Sequence, residues 1–480
     1  MCYISNPVLP LDARPPLARA LPLALALSTA TVLVFCFELG RLPPVRWSVI
    51  GLFGLFAVAM WKVRLSTLSL LARIGLALYV LPFLVTLRYL FEDHVHWWPT
   101  PWSLDYQDAP RSIEIMLALG LLGLVGLVTG LLLAGGARWP REQPDRLPVL
   151  GMTRYLIGLG LAFGLSWLST PSETILMARY GLDQSAAAAS TARFDAASLV
   201  AYILLCVLLV DADSDVARPD RRAAKLVFLL AVSGYIIVFH QLLRGDRECA
   251  GLVAAMLAYA LTSVRATGRE RLRVLRRRLV AVWAAGTLIV TVFVGLTVTR
   301  MTLGDRSLLA PQTLLEGATN STWTAVLLTD LSLADRFRRG EMVVEGGRTY
   351  LDYLLSLPPG FLADAVGWKR PLEASRGPSF LFMDISSGGC HLPLVPFLNF
   401  RWIGVLLVLT LNGWMLGRME RWADHRGRAQ RFAYIATFTF LPFWFWYGDM
   451  YVIRGAMGIL LCWWAYRVAG ALGLRGLGQE

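Results

Sequence analysis

Residues 20–37, ALPLALALSTATVLVFCF, run without a charge between Arg19 and Glu38. At about 1.5 Å per residue such a stretch crosses most of a ~30 Å hydrocarbon layer as a helix. No small-x-small cleavage site followed by a polar domain comes after it, so it reads as a span rather than a cleavable leader. Outward from it, apolar stretches of similar length recur. Twelve spans are expected, at 18–39, 46–62, 68–88, 113–135, 152–169, 196–211, 225–243, 250–265, 279–299, 399–417, 431–447 and 454–472. Helices are required because lipid offers no partner for an open backbone, and no barrel-type alternation is present. The composition agrees: of 480 residues, 56% are hydrophobic and only 16% charged, against about 25% charged in soluble domains. This excludes a cytosolic enzyme, a secreted disulfide scaffold and a disordered regulator. The fold class is therefore all-α and polytopic, about twelve transmembrane helices with one large outer loop between the ninth and tenth.

The net charge of +13 sorts by side. With the N-terminus inside, the inner segments hold 25 Lys and Arg and the short outer loops 9. That asymmetry predicts cytoplasmic termini. The run RERLRVLRRR at 269–278 reads as a topological anchor that also attracts anionic lipid, with no nucleic-acid partner. Residues 300–392 form one outer connection of 93 residues, with 9 basic and 10 acidic side chains. Loops of this length are uncommon without a purpose. Helical pieces are expected at 322–338 and 348–357 within a folded cap. The chain thus divides into spans one to nine (1–299), the cap (300–392) and spans ten to twelve (393–480).

Cysteine and histidine spacings give no metal site, and no cofactor is expected. Cys249 and Cys390 are the two thiols that should face outward, where a disulfide could form. Charged residues beside a membrane plane are the functional candidates. Arg244, Arg247 and Glu248 crowd a short turn, RGDRE. It reads either as a solvated hairpin tip or as a pyrophosphate clamp, since the planar arginine fork suits phosphate. SSGGCH at 386–391 ends the cap and NFRWIG at 399–404 follows. His391 is either an interfacial loop residue or a proton acceptor, and Arg401 either snorkels or binds an anion. Asp449 and Arg454 lie in the last outer turn, as an ion pair or as part of the site. Glu92, Asp93, His94, Asp105 and Asp108 surround Trp97, Trp98 and Trp102, which read more simply as an interfacial belt.

The order of these elements resembles the bacterial O-antigen polymerases, the Wzy-type oligosaccharide repeat-unit polymerases. The resemblance rests on RGDRE at 244–248, TYLDYLLSLPPGF at 349–361, SSGGCH, NFRWIG and an outward-facing Arg454. It covers roughly residues 225–470. Asp246 departs from the family pattern and, paired with Arg244, would leave fewer arginines free for phosphate.

The resemblance implies transfer of an undecaprenyl-pyrophosphate-linked glycan onto another lipid-linked repeat unit. The reaction takes place at the periplasmic face of the inner membrane, without metal or nucleotide sugar. It implies Arg244, Arg247, Arg401 and Arg454 on the pyrophosphate, and His391, then Asp449 or Glu248, as proton acceptor. Tyr350, Tyr353, Trp368 and Trp323 are the candidates for meeting the glycan. The partners implied are the lipid-linked glycans and the bilayer, with a chain-length regulator and a repeat-unit flippase beside them. An O-antigen ligase, a lipid-monophosphate glycosyltransferase and a transporter of lipid-linked sugars are the competing readings.

Overall fold

The computed structural model describes residues 16–65, 70–91, 110–134, 322–355 and 390–420, with isolated residues between 160 and 167, at 366–367 and between 433 and 464. The expected spans between 196 and 299 lie outside the described residues, as do the RGDRE turn, Cys249, Asp449, Arg454, Trp368 and the acidic residues of 92–108.

Among the described residues the chain is helical and contains no strand. In chain order the helices are α1 (Pro16–Glu38), α2 (Val45–Leu65), α3 (Leu70–Val80), a 3-10 helix (Leu81–Leu90), α4 (Pro110–Ala134), α5 (Thr322–Arg338), α6 (Arg348–Leu355) and α7 (Leu394–Met419). Four stretches are long and apolar enough to cross a membrane: Leu21–Glu38, Leu71–Leu90, Pro110–Ala134 and Leu394–Met419; the apolar part of α2, Val45–Trp61, is shorter.

α4 is the hub. In its span 78% of residues are buried, against 11% in the outermost span, Leu21–Glu38. α4 meets α7 over its length and also touches α1, α2 and α5. Lipid tails are as apolar as leucine, so helices in a membrane associate through close packing rather than through escape from water. α4 and α7 obtain that closeness with glycine. A Cβ at Gly130 would run into the backbone of Thr410 and Gly413, and one at Gly413 into the backbone of Leu127. Farther along, Gly417 lies against Ala134, while nearer the start Gly126 lies against Leu409. Residue numbers rise together on both helices, so α4 and α7 run parallel and enter from the same side.

Two breaks set the rest of the architecture. The third span begins as α3 and continues as a 3-10 helix for 10 residues, whereas such helices usually last about three or four. Pro82 sits at the start of this change. The second break is in α7, where Phe400 (φ −139, ψ 16) and Arg401 (φ 55, ψ −146) are not helical. The chain reverses there. The Pro396 carbonyl lies 2.5 Å from where a Gly404 Cβ would stand, and the Phe397 and Trp402 rings are 4.8 Å apart. In one straight helix residues 396 and 404 would be about 12 Å apart along the axis. The expected span at 399–417 is therefore the second arm of a helical hairpin whose first arm starts at Leu394.

The cap segment is built partly into the same core. α5 buries Val326, Leu327, Leu331 and Ala334, an i, i+1, i+4/5, i+8 stripe that makes one helix face. It packs against α4 and the 3-10 helix. At the opposite end of the bundle Glu420 accepts hydrogen bonds from the Ala72 N–H and the Tyr434 hydroxyl, both at 3.1 Å.

Candidate functional site

Pro82 creates the need that the candidate site meets. A proline has no N–H and cannot donate to the turn before it. In an α-helix residue 82 would donate to the Leu78 carbonyl; in a 3-10 helix it would donate to the Tyr79 carbonyl. Both carbonyls lose a natural donor inside a span, where water cannot replace it. Two distant side chains supply the missing hydrogens. Trp446 Nε1–H donates to the Leu78 carbonyl at 3.0 Å. His391 Nε2 lies 2.9 Å from the Tyr79 carbonyl. A carbonyl only accepts, so Nε2 carries the proton.

The segment carrying His391 is held from several sides. The Cys390 N–H donates to the Trp446 carbonyl at 2.9 Å and the Leu392 N–H to the Phe445 carbonyl at 3.1 Å. The imidazole packs on the rings of Tyr79 at 4.5 Å and Phe83 at 5.1 Å. Tyr79 itself donates its hydroxyl to the Gly120 carbonyl at 2.8 Å. His391 has no exposed surface. It is therefore a core residue in this arrangement and does not face an external substrate.

Its partner is Asp330 on α5, also fully buried. Asp330 Oδ1 accepts from the His391 backbone N–H at 3.3 Å, and Oδ2 lies 3.5 Å from His391 Nδ1. Neither Oδ2 nor Nδ1 has a hydrogen-bond partner. Burial pushes the Asp330 carboxyl above the ordinary range, and the backbone N–H and nearby ring of His391 offset this only in part. Sequence reasoning missed Asp330. The signal was available, because an acid lies inside the apolar stripe of α5, where an unpaired carboxylate is rarely tolerated.

Arg401 occupies the apex of the α7 hairpin. Its φ and ψ fall near a backbone region that is essentially restricted to glycine, and it is the one non-glycine residue at positive φ among the described residues. Its side chain is exposed, with the guanidinium carbon 5.9 Å from the centre of the Phe337 ring. Beside the apex lies the turn before α6. The Glu345 N–H donates to the Leu398 carbonyl and the Gly346 N–H to the Asn399 carbonyl, both at 3.1 Å. The Gly347 N–H reaches Asn399 Oδ1 at 3.1 Å. The Tyr350 and Phe400 rings lie parallel at 6.2 Å. Of the aromatic residues expected to meet a glycan, Tyr350 is half-buried and Tyr353 buried.

The structure thus brings together the start of TYLDYLLSLPPGF, the end of SSGGCH and all of NFRWIG. It leaves Arg244, Arg247, Glu248, Asp449 and Arg454 unplaced, since they fall outside the described residues. Among the described residues no group of three or more His, Cys, Asp or Glu side chains could hold a metal ion. No protein-family model, no curated protein and no solved structure matches the chain.

Proposed function

We propose that this chain is a membrane glycosyltransferase that polymerises undecaprenyl-pyrophosphate-linked oligosaccharide repeat units at the periplasmic face of the inner membrane. The observation that carries this reading is the contact between two of the segments that resemble the repeat-unit polymerases: Tyr350 of TYLDYLLSLPPGF lies parallel to Phe400 of NFRWIG at 6.2 Å, beside the exposed Arg401. The parallel course of α4 and α7 also supports it, since the charge pattern has both spans entering from the outer side.

In the proposed reaction a bond forms between an acceptor hydroxyl oxygen and the anomeric carbon of the donor glycan. The bond from that carbon to the lipid pyrophosphate breaks. Negative charge grows on the leaving pyrophosphate, where Arg401 at the hairpin apex, with Arg244, Arg247 and Arg454, would stabilise it. The hydroxyl proton passes to a carboxylate, Asp449 or Glu248. His391 is poorly suited to receive it: its Nε2 proton is committed to Tyr79 and its Nδ1 faces Asp330. In this reading His391 anchors the base of the hairpin that presents Arg401. Holding two lipid-anchored substrates in register would supply much of the rate.

The test is incubation of the purified chain with a lipid-pyrophosphate-linked repeat unit, followed by gel separation. A ladder of products is expected, and Arg247→Ala or Arg454→Ala should abolish it at normal protein levels. A wild-type chain yielding no product longer than one repeat would contradict the proposal.

A further inference from the structure

The hydrogen inventory around His391 does not balance with Asp330 ionised. The Nε2 proton is fixed by the Tyr79 carbonyl, so a neutral imidazole presents only a lone pair at Nδ1. An ionised Asp330 presents only lone pairs at Oδ2. The two atoms face each other at 3.5 Å, neither has another partner, and neither side chain reaches water. Two buried acceptors so placed repel, and both pay for lost hydration without compensation. One further proton resolves the conflict. On Oδ2 it donates to Nδ1; on Nδ1 it donates to Oδ2. Either way the pair is electrically neutral.

We propose that Asp330 and His391 together bind one proton, forming a neutral buried site that clamps α5 to the proline break of the third span. The clamp goes beyond the glycosyl-transfer reading and holds whatever the chain acts on. Among the described residues the surroundings offer no competing charge. From the third span the site meets the Tyr79 phenol, already donating to Gly120, and the uncharged Phe83 ring. The preceding residue in the chain, Cys390, is buried. The nearest glycine of α4, Gly120, contributes its carbonyl to Tyr79. On α5 itself Asp335 is occupied by Arg338 and Arg339. The upward push of burial on Asp330 acts in the same direction as the proposal.

Asparagine at position 330 separates this site from a merely structural contact. Its amide carries a permanent N–H for Nδ1 and keeps an oxygen for the His391 backbone N–H. An unfolded aspartate releases its proton near pH 4, whereas the folded pair keeps one. Relative to Asp330→Asn, the native chain therefore loses stability with each step of pH above about 4, until the pair itself lets go. The experiment is thermal unfolding of the full chain in detergent between about pH 5 and 8, for the native protein, Asp330→Asn and Asp330→Ala. The expected result is that Asp330→Asn melts at or above the native temperature, with a gap that widens as pH rises, and that Asp330→Ala melts several degrees lower. A pH-independent gap, or Asp330→Asn as unstable as Asp330→Ala, would overturn the proposal. Nitrogen-15 spectra of histidine-labelled protein, with His391→Gln to identify the signal, give a second readout on the folded native chain. Nδ1 should be protonated or hydrogen-bonded, and the signature of a free acceptor would also overturn it.

Discussion

Asp330 and Asp335 belong to one helix but point to different sides of it, about 140° apart around the axis, and meet opposite chemistry. Asp335 marks the end of α5 nearest the start of α4. Ser112 donates to it at 3.0 Å, and Arg338 and Arg339 approach to 2.8 and 2.9 Å. Burial pushes its carboxyl up, yet the hydrogen bonds of Arg338 and Ser112 and the charges of both arginines outweigh that and hold it below the ordinary range. Asp330 is also buried, but it faces one histidine, and its carboxyl is raised. Depth and neighbour both differ: Asp335 lies shallower beside cations that make it easy to ionise, whereas Asp330 is more deeply enclosed and faces a histidine bound to a carbonyl, which makes it hold a proton. One helix is thus fastened by charge near its C-terminal end and by a shared proton at its middle.

The largest effect should come from removing the histidine. His391→Ala removes the side-chain donor to the Tyr79 carbonyl and the ring facing Asp330 Oδ2, while Oδ1 keeps its backbone N–H, at about 1–3 kcal/mol for each buried group left unserved. Detergent melting curves should show a large loss, and His391→Gln, whose amide N–H can still serve the carbonyl, a smaller one. Next comes Pro82→Ala. It restores the backbone donor at residue 82, so the third span should depend less on His391, and Pro82→Ala should offset part of the damage from His391→Ala. Simple additivity in that pair would argue against the proline as the origin of the site.

The charged contact near the C-terminal end of α5 should respond less and with the opposite sign in pH. Asp335→Asn is expected to cost about 1 kcal/mol, since its arginine partners are 40% and 47% exposed and solvent screens such pairs. The Asp335 contribution is present above the usual carboxylate pKa near 4 and fades as pH falls through its lowered value. Melting temperatures at acidic pH should therefore converge for Asp335→Asn and the native chain. Arg401→Gly should have the smallest effect on stability and a favourable one, of about 1 kcal/mol, because glycine occupies that backbone region without strain. The same variant should lose polymer formation; unchanged product length would remove Arg401 from the proposed site.

Much of the described fold was legible because apolar length is a local property. The runs at 18–39, 113–135 and 322–338 agree with α1, α4 and α5 to within a few residues. What the sequence did not disclose was tertiary. The reversal at Phe400–Arg401 contains no glycine or proline at its apex; it exists because the first arm of α7 packs back onto Gly404. Pairing of His391 with Asp330 spans 61 residues, and the reason for it lies in a third segment, at Pro82. His391 and Arg401 were singled out as reactive types near a membrane face. Their roles diverge in the structure, because one side chain is drawn inward by an orphan carbonyl while the other is left at the surface by a turn.

The central claim is that Asp330 and His391 act as a unit, and a double-mutant cycle between Asp330→Ala and His391→Ala tests it most directly. Melting of the two single variants and the double variant in detergent should give a double-variant loss smaller than the sum of the single losses by at least about 1 kcal/mol. Losses that simply add, within about 0.5 kcal/mol, would contradict the pairing.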